Sequence, residues 1–269
     1  MNEPGVRRRC CTPGFSLIEL LVVIGVLSLL VAIALPVLGA ARSAGRASVC
    51  LSNQKQTGLS LLAYTNDYDG RLVSFIDNTP ATGATFWFGF EAGGPASGAT
   101  GRPIDVTRSP LAPYQGQTIL ETLACPDFPA GDPAFIAKFA ERSAHFGYNG
   151  GLCWPFIGSE PRAMIEVQDP SGVFAFADAV HQDFSNDEFY EPHTVSFRRP
   201  AKMTGTAHFR HPGGADGAAN AVFLDGHGEA LARPASETVW NTFGVSPIAN
   251  LDVDDGPGTV YGFRTWTYP

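Results

Sequence analysis

The sequence predicts an α+β protein: one long amino-terminal helix set against an antiparallel β-sheet head with long loops. Three observations carry that expectation. Residues 15–38 form an apolar run without Lys, Arg or Asp, helical spacing of apolar residues continues beyond it, and the remainder alternates strand-length apolar runs with turn residues. The chain has 269 residues, among them 30 Gly and 21 Pro, a composition that suits one membrane segment and one globular domain. Setting the apolar segment aside leaves about 200 residues, enough for a core without disulfide or metal staples.

Charge narrows the class of partner. The net charge is −8, and Arg7, Arg8 and Arg9 with Glu3 are the only charged residues of the first fourteen. The rest therefore carries 15 basic against 25 acidic residues, or −10. Phosphate binding needs a concentrated basic face, so nucleic acid is not an expected partner.

The first element is the run "PGFSLIELLVVIGVLSLLVAIALPVL" at 13–38. From Phe15 to Leu38 it has 24 residues, roughly 36 Å of helix at ~1.5 Å per residue, enough to cross a ~30 Å hydrocarbon core. The arginines before it keep its start in the cytoplasm by the positive-inside rule, and the rest is exported. A secretory signal peptide would have a shorter apolar region, about 7–15 residues, and a small-x-small cleavage site. Gly39-Ala40-Ala41 offers such a site, but the run is too long and holds a carboxylate, Glu19.

The stretch "PGFSLIELLVVIG" resembles the class III signal of type IV pilins and type II secretion pseudopilins. In that family a prepilin peptidase cuts after the glycine and methylates the new amino-terminal residue. The resemblance implies cleavage between Gly14 and Phe15, an N-methylated Phe15, and Glu19 as the fifth mature residue. It also implies a pilin-like fold, with 1–14 as leader, 15–38 as transmembrane helix, 39–69 as its amphipathic continuation and 70–269 as the exported head. The physics of Glu19 agrees with that reading. A carboxylate in hydrocarbon costs several kcal/mol unless paired, and the new amine of a neighbouring chain would pair it. The alternative is a glutamate snorkelling to the headgroups. Pro36, near the end of the run as in the family, removes a backbone donor and predicts a kink or melted turn. Gly25, Gly39 and Gly45 weaken the helix locally.

Beyond the membrane, Cys50, Thr57, Leu61, Tyr64 and Tyr68 fall on one face at a 3.6-residue period. That half of the helix is expected to pack on the head and to stop near Asp69-Gly70, with Gly in the left-handed cap. Read as half of a calcium loop, Asn66–Gly70 lacks the downstream Glu, so a solvated helix end is the better reading.

In the head, residues 77–103 are biased to Gly, Pro, Ala, Ser and Thr, which predicts a long loop holding "TFWFGF" as one short strand, with Trp87 and its phenylalanines in the core and a sugar- or partner-binding patch as the alternative. "VFAFADAV" at 173–180 reads as a strand, and "ANAVFLDGHGEALA" as a hairpin turning at Asp225-Gly226. The segment "CLSNQKQTGLSLLAYTNDYDGRL" and the later "RHPGGADGAANAVFLDGH" resemble pseudopilin-like proteins with an H-X9-DG carboxy-terminal region, here about 205–230. His211, Asn220, Asp225 and Gly226 match its pattern, but thirteen residues rather than nine separate His211 from Asp225.

No catalytic site is expected: HExxH, GxSxG, phosphate-loop and dinucleotide motifs are all absent. His208, His211 and His227 with Asp216 and Asp225 lack a metal-ligand spacing. Major pseudopilins bind calcium near their carboxy-terminus, so the resemblance makes structural Ca2+ the one cofactor to consider, with Asp216, Asp252, Asp254 and Asp255 as candidate ligands. The cysteines are Cys10, Cys11, Cys50, Cys125 and Cys153. They form no CxxC pair, and one disulfide among the last three is compatible with export, its pairing open.

The resemblance implies a structural subunit, a pseudopilin or minor pilin, of a type II secretion pseudopilus or type IV pilus-like filament. It would sit single-pass in the cytoplasmic (inner) membrane with its head exported. Its partners would be prepilin peptidase, other pilin or pseudopilin subunits, and an inner-membrane secretion or pilus assembly platform. The alternative is an exported binding or enzymatic domain on an uncleaved signal anchor.

Overall fold

Helix α1 runs uninterrupted from Leu17 to Asp67. The computed structural model of the chain describes residues 15–79, 83–93, 100–116, 119–133, 135–140, 143–153, 161, 163–167, 169–183, 188–192, 194–195, 203–213, 217–232 and 248–249. The chain divides into two compact units, one ending at Arg42 and one beginning at Ser43, so the division falls inside α1.

In the first unit every described residue from Phe15 to Arg42 is exposed, and the segment is long and apolar enough to cross a membrane. Its start is a capping box. Ser16 Oγ accepts the Ile18 N–H at 3.3 Å, and Glu19 Oε2 accepts the Ser16 N–H at 2.8 Å. Two amide donors that the first helical turn cannot satisfy are thereby paired. Glu19 thus has a local role that the sequence reading overlooked, although Ser16-x-x-Glu19 is its signature. The melted turn expected at Pro36 is not present: α1 stays helical through it. A proline inside a helix forgoes one hydrogen bond, here to the Ala32 carbonyl, and α1 continues on both sides of it.

In the second unit α1 buries Cys50, Gln54, Thr57, Gly58, Ser60, Leu61 and Thr65. The predicted face is found for Cys50, Thr57 and Leu61. Tyr64 is half-buried, whereas Tyr68 is exposed and stacks on it at 4.1 Å. The helix ends as a Schellman motif, with Gly70 N–H donating to the Thr65 carbonyl at 2.8 Å. The left-handed position before it belongs to Asp69, at φ 52°, and Gly70 follows at 79°. The acidic run at 66–70 is therefore a helix cap, with Asp67 accepting the Tyr114 hydroxyl at 2.8 Å.

The segment expected as a loop with one strand is instead an antiparallel meander of β1 (Ile76–Thr79), β2 (Gly83–Phe86) and β3 (Gly89–Ala92). "TFWFGF" is a hairpin turning at Trp87-Phe88. The turn escaped notice because both aromatic rings point inward and are fully buried. Trp87 lies in the core, its ring 4.9 Å from Phe176, 6.0 Å from Phe146 and 6.2 Å from Tyr148.

The main sheet contains β4 (Phe146–Asn149), β5 (Phe174–Asp183), β6 (Glu188–Tyr190), β7 (Thr194–Val195), β8 (Met203–His208), β9 (Ala218–Phe223), β10 (Gly228–Ala232) and β11 (Ile248–Ala249). Pairings are antiparallel except β4 with β7. Its spine, β5, changes neighbours midway. Phe174–Ala177 pairs with β9 and Phe176–Asp178 with β4, whereas Ala179–Asp183 pairs with β8 and His181–Asp183 with β6. Side chains alternate across a strand. Phe176 joins the core that includes Leu61 of α1, Val180 clusters with Cys50, and Ala177 and Ala179 join a second core with Phe209, Phe223 and Leu231. Asp178 lies between Phe176 and Val180 on the helix-bearing face, at the switch.

The predicted hairpin is β9–β10. Gly226 in its turn has φ 90°, and a Cβ there would meet Leu62 of α1 at 3.3 Å. Upstream, His211 bridges Ala218 by bonds of 3.0 and 2.8 Å.

Gly58 brings α1 against β9, since a Cβ on it would lie 2.5 Å from Cγ1 of the buried Val222. Val has one stiff side-chain torsion, so the clash is not relieved by rotation. Gly58→Ala is expected to lower stability by ~1–2 kcal/mol, although Gly to Ala inside a helix ordinarily gains up to ~1 kcal/mol. Urea unfolding checks this, and combining it with Val222→Ala should cost less than the sum of the two changes.

Candidate functional site

The described residues converge on one buried ionic cluster, assembled from five parts of the sequence. Helix α1 supplies Cys50 and Gln54, one turn apart on its buried face. The turn after residues 119–122 supplies Cys125 and Asp127, closed by the Phe128 N–H on the Cys125 carbonyl at 3.1 Å. Asp178 comes from β5, Arg210 and His211 from the β8–β9 connection, and Asn220 from β9.

Asp178 is fully buried and accepts five hydrogen bonds. Its Oδ1 takes Gln54 Nε2 at 2.8 Å, Arg210 Nη2 at 2.6 Å and the Cys50 thiol at 3.3 Å. Its Oδ2 takes the Asn220 backbone N–H at 2.8 Å and His211 Nε2 at 3.0 Å. The Asn220 amide has a reason to be there, because β9 leaves β5 after Ala177 and the carboxylate replaces the departing strand. Asn220 Nδ2 then donates to the Ala47 carbonyl of α1 at 3.0 Å.

A second carboxylate completes the network. His211 Nδ1 lies 3.1 Å from Asp127 Oδ2, and the other oxygen of Asp127 pairs with Arg46 of α1. Arg210 also donates to the carbonyls of His145, at 2.5 Å, and Ala179, at 3.3 Å.

Electrostatics follow from these contacts. Burial opposes ionisation of Asp178, but Arg210 and His211 overcome it and hold the carboxyl far below the usual range. Burial likewise opposes the charged form of His211, yet Asp178 and Cys125 raise it to about 10. With a carboxylate on each nitrogen, His211 is an imidazolium. Burial lifts the Cys50 thiol, and Cys125 and Asp178 lift it further. At Cys125 the same burial is outweighed by Cys50, Arg210 and His211, which lower the thiol to about 6.

Two chemistries are suggested by the residue types, and neither is free to act. Cys50, Cys125, Asp178 and His211 present atoms within 4.8 Å of one another, as metal ligands would. But both Asp178 oxygens already hold donors, one of them a guanidinium, and His211 would have to give up a proton bound by two anions. Cys125, His211 and Asp127 line up as nucleophile, base and orienting acid, with Cys125 Sγ 3.6 Å from His211 Nε2. His211 already holds a proton and the Cys125 thiol is already lowered, so no base is needed to form the thiolate; what this conformation withholds is access, with Cys125 only 3% exposed. In this conformation the cluster ties α1, the 125–127 turn, β5 and β9 together.

Of the residues singled out in the sequence, His211 and Asn220 lie in this cluster. Asp225 and Gly226 form the exposed hairpin turn, where Asp225 Oδ1 accepts the His227 N–H at 3.0 Å. His208 contacts Arg210 at 3.4 Å, and His227 stacks on Phe223 at 4.2 Å. Phe15 is exposed, and Gly14, Asp216, Asp252, Asp254 and Asp255 lie outside the described residues. Cys50, Gln54, Cys125, Asp127, Asp178 and Arg210 were not anticipated as a set. One signal was visible: Asp178 is a carboxylate inside the apolar run "VFAFADAV", which demands buried partners. Comparison of the chain with models of known protein families, with curated proteins and with solved structures finds no match.

Two outcomes are expected. Asp178→Asn keeps the shape but leaves Arg210 a buried cation without its carboxylate and His211 with Asp127 alone, at a cost of ~3–5 kcal/mol, measurable by urea unfolding. His211 has a folded-state value of about 10 against 6.5 when unfolded, so its contribution is complete below pH 6.5 and disappears as pH rises through 10. Asp178 is depressed from 3.8, so its contribution is present above that value and disappears on acidification. Stability limited by these two groups is therefore greatest between pH 3.8 and 6.5. His211→Gln should flatten the alkaline fall.

Proposed function

We propose that the chain is a structural subunit, a pseudopilin or minor pilin, of a type II secretion pseudopilus or type IV pilus-like filament. It is made with a leader of residues 1–14, cut by prepilin peptidase between Gly14 and Phe15 and N-methylated at Phe15. It is held single-pass in the cytoplasmic membrane, head exported, until an inner-membrane assembly platform moves it into a fibre with other subunits.

One observation carries the reading: a single helix begins two residues beyond Phe15, is apolar and exposed as far as Leu38, and is buried in a β-rich head from Cys50. A subunit that lives first in lipid and then in a helical fibre core needs such a division. A secretory signal would be removed together with the apolar run, and nothing would then couple the run to the head.

The capping box sharpens the role of Glu19. Its Oε2 serves the Ser16 amide, and in this reading its second oxygen takes the charged Phe15 amine of a neighbouring subunit. The two duties separate by substitution. Gln retains the cap but not the charge, and Ala removes both. Glu19→Gln and Glu19→Ala are both expected to insert in the membrane and to fail filament incorporation at least tenfold (about 1.4 kcal/mol or more of lost subunit affinity). If Glu19→Gln assembles normally, capping alone explains the residue.

Mass spectrometry of the mature amino-terminus tests the whole proposal. A chain starting at N-methyl-Phe15 is expected. An intact Met1 or a start near Ala41 overturns it and favours an exported binding or enzymatic domain on an uncleaved anchor or a removed signal.

A further inference from the structure

The two sulfurs of the cluster have a relation to each other that its ion pairs do not explain. Asp178 accounts for Gln54, Arg210, His211 and Asn220, but the approach of Cys125 to Cys50 serves no carboxylate. Cys50 lies on α1 and Cys125 opens the 125–127 turn, 75 positions further along the chain. Both are free thiols and buried, in one small apolar cluster with Phe128, Val180 and Phe189. Their Sγ atoms are within 4.8 Å of each other. A disulfide needs about 2.05 Å between sulfurs, so forming it requires the two sulfurs to turn toward each other.

We propose that Cys50 and Cys125 form a disulfide in the exported head, fastening α1 to the 125–127 turn beneath Asp178. The proposal rests on the filament reading in one respect: export is what delivers the thiols to an oxidising compartment.

The surroundings make the two sulfurs unequal, as exchange requires. Cys50 donates toward the Asp178 carboxylate at 3.3 Å, which disfavours its thiolate. Cys125 faces His211 Nε2 at 3.6 Å and lies near Arg210, which favour its thiolate. Cys125 is therefore the attacking sulfur and Cys50 the resolving one. The oxidant is a disulfide, of a small thiol or of an exported oxidoreductase, acting while the head closes and before the site is covered. The Cys125 thiolate attacks one oxidant sulfur, a mixed disulfide forms, and the other oxidant sulfur leaves as a thiolate. Cys50 gives its proton to that thiolate and attacks Cys125 Sγ. The Cys50–Cys125 bond forms, the mixed disulfide breaks, and the oxidant departs reduced by two electrons: one of its sulfurs carries the Cys50 proton, and the other leaves as a thiolate that takes from water the proton Cys125 had released there. His211 keeps its two carboxylates throughout.

A bridge here explains why a polar helix face is so heavily held. The ionic contacts fix the register of α1 on β5 and β9, and the covalent bond makes that register survive pulling on the helix.

The test uses the full chain, purified in detergent from cell membranes under thiol-trapping conditions and equilibrated in a glutathione redox buffer. Alkylation and peptide mapping without reductant should give a peptide joining Cys50 to Cys125. A chain processed at Phe15 retains three of its five cysteines, so it should take up one alkyl group before reduction and three after. Reduction should lower the melting temperature by ~5–15 °C. Cys50→Ser and Cys125→Ser should each produce that drop, and the double variant no more. Pairing of either cysteine with Cys153, alkylation of both as free thiols, or one equivalent of zinc protecting both from alkylation overturns the proposal. The joined peptide on a chain that begins at Met1 supports the disulfide while overturning the filament reading. Free Cys50 and Cys125 on an N-methyl-Phe15 chain do the reverse.

Discussion

A carboxylate with no solvent must be surrounded by donors, and in this chain the requirement of Asp178 organises the head. Its five partners come from α1, from β9 and from the β8–β9 connection, so no two of these elements can be placed independently. The location is mechanical as well as electrostatic. At Asp178 the spine strand β5 exchanges β9 for β8, and an exchange of neighbours leaves backbone groups without partners. The Asn220 amide is one of these, and the carboxylate satisfies it. Buried ionic networks of this kind contribute little net stability relative to an apolar core of equal volume, but they penalise every alternative register. A helix with a face as polar as Cys50, Gln54, Thr57, Ser60 and Thr65 gains position from such contacts more than from hydrophobic area.

That distinction matters because α1 has two duties in one continuous element. As far as Arg42 its described residues are exposed, with an apolar run suited to lipid; from Cys50 it is part of a protein core. An apolar face alone would allow the second half to slide by a turn against the sheet, since side chains three and four residues apart occupy similar places. Gln54 and Asn220 remove that freedom, as does the contact of Gly58 with Val222. The residues resembling an H-X9-DG region serve the same end. His211 supports Asp178 and passes on to Asp127, Asn220 reaches the Ala47 carbonyl, and Gly226 gives room to Leu62.

Charge anomalies in apolar runs are informative both in the amino-terminal helix and in the head. Glu19 and Asp178 each interrupt a hydrophobic stretch, and each is held by backbone amides that the local structure leaves over: Ser16 for Glu19, Asn220 for Asp178. Only the first could be found by counting, because Ser16-x-x-Glu19 is a local signature and its donor lies three residues away. The second depends on residues separated by up to 128 positions in sequence.

Periodicity and composition by themselves determined the long helix, its apolar first half, the packed face through Cys50, Thr57 and Leu61, the β5 strand and the Asp225-Gly226 hairpin. These features rest on short-range rules: the 3.6-residue repeat, the alternation of a strand and the torsions that a turn demands. The processing motif proposed at Gly14-Phe15 is likewise contiguous, which is why its resemblance can be seen in sequence. Only the tertiary structure decided that "TFWFGF" turns at Trp87-Phe88, since the burial of two rings in a turn depends on the core waiting beneath them. Only the tertiary structure could gather Cys50, Cys125, Asp127, Asp178, Arg210 and His211. Their partners are chosen by which strands neighbour β5 and which face of α1 meets it. That choice is set by the joint packing of the whole head, and no window of sequence contains it.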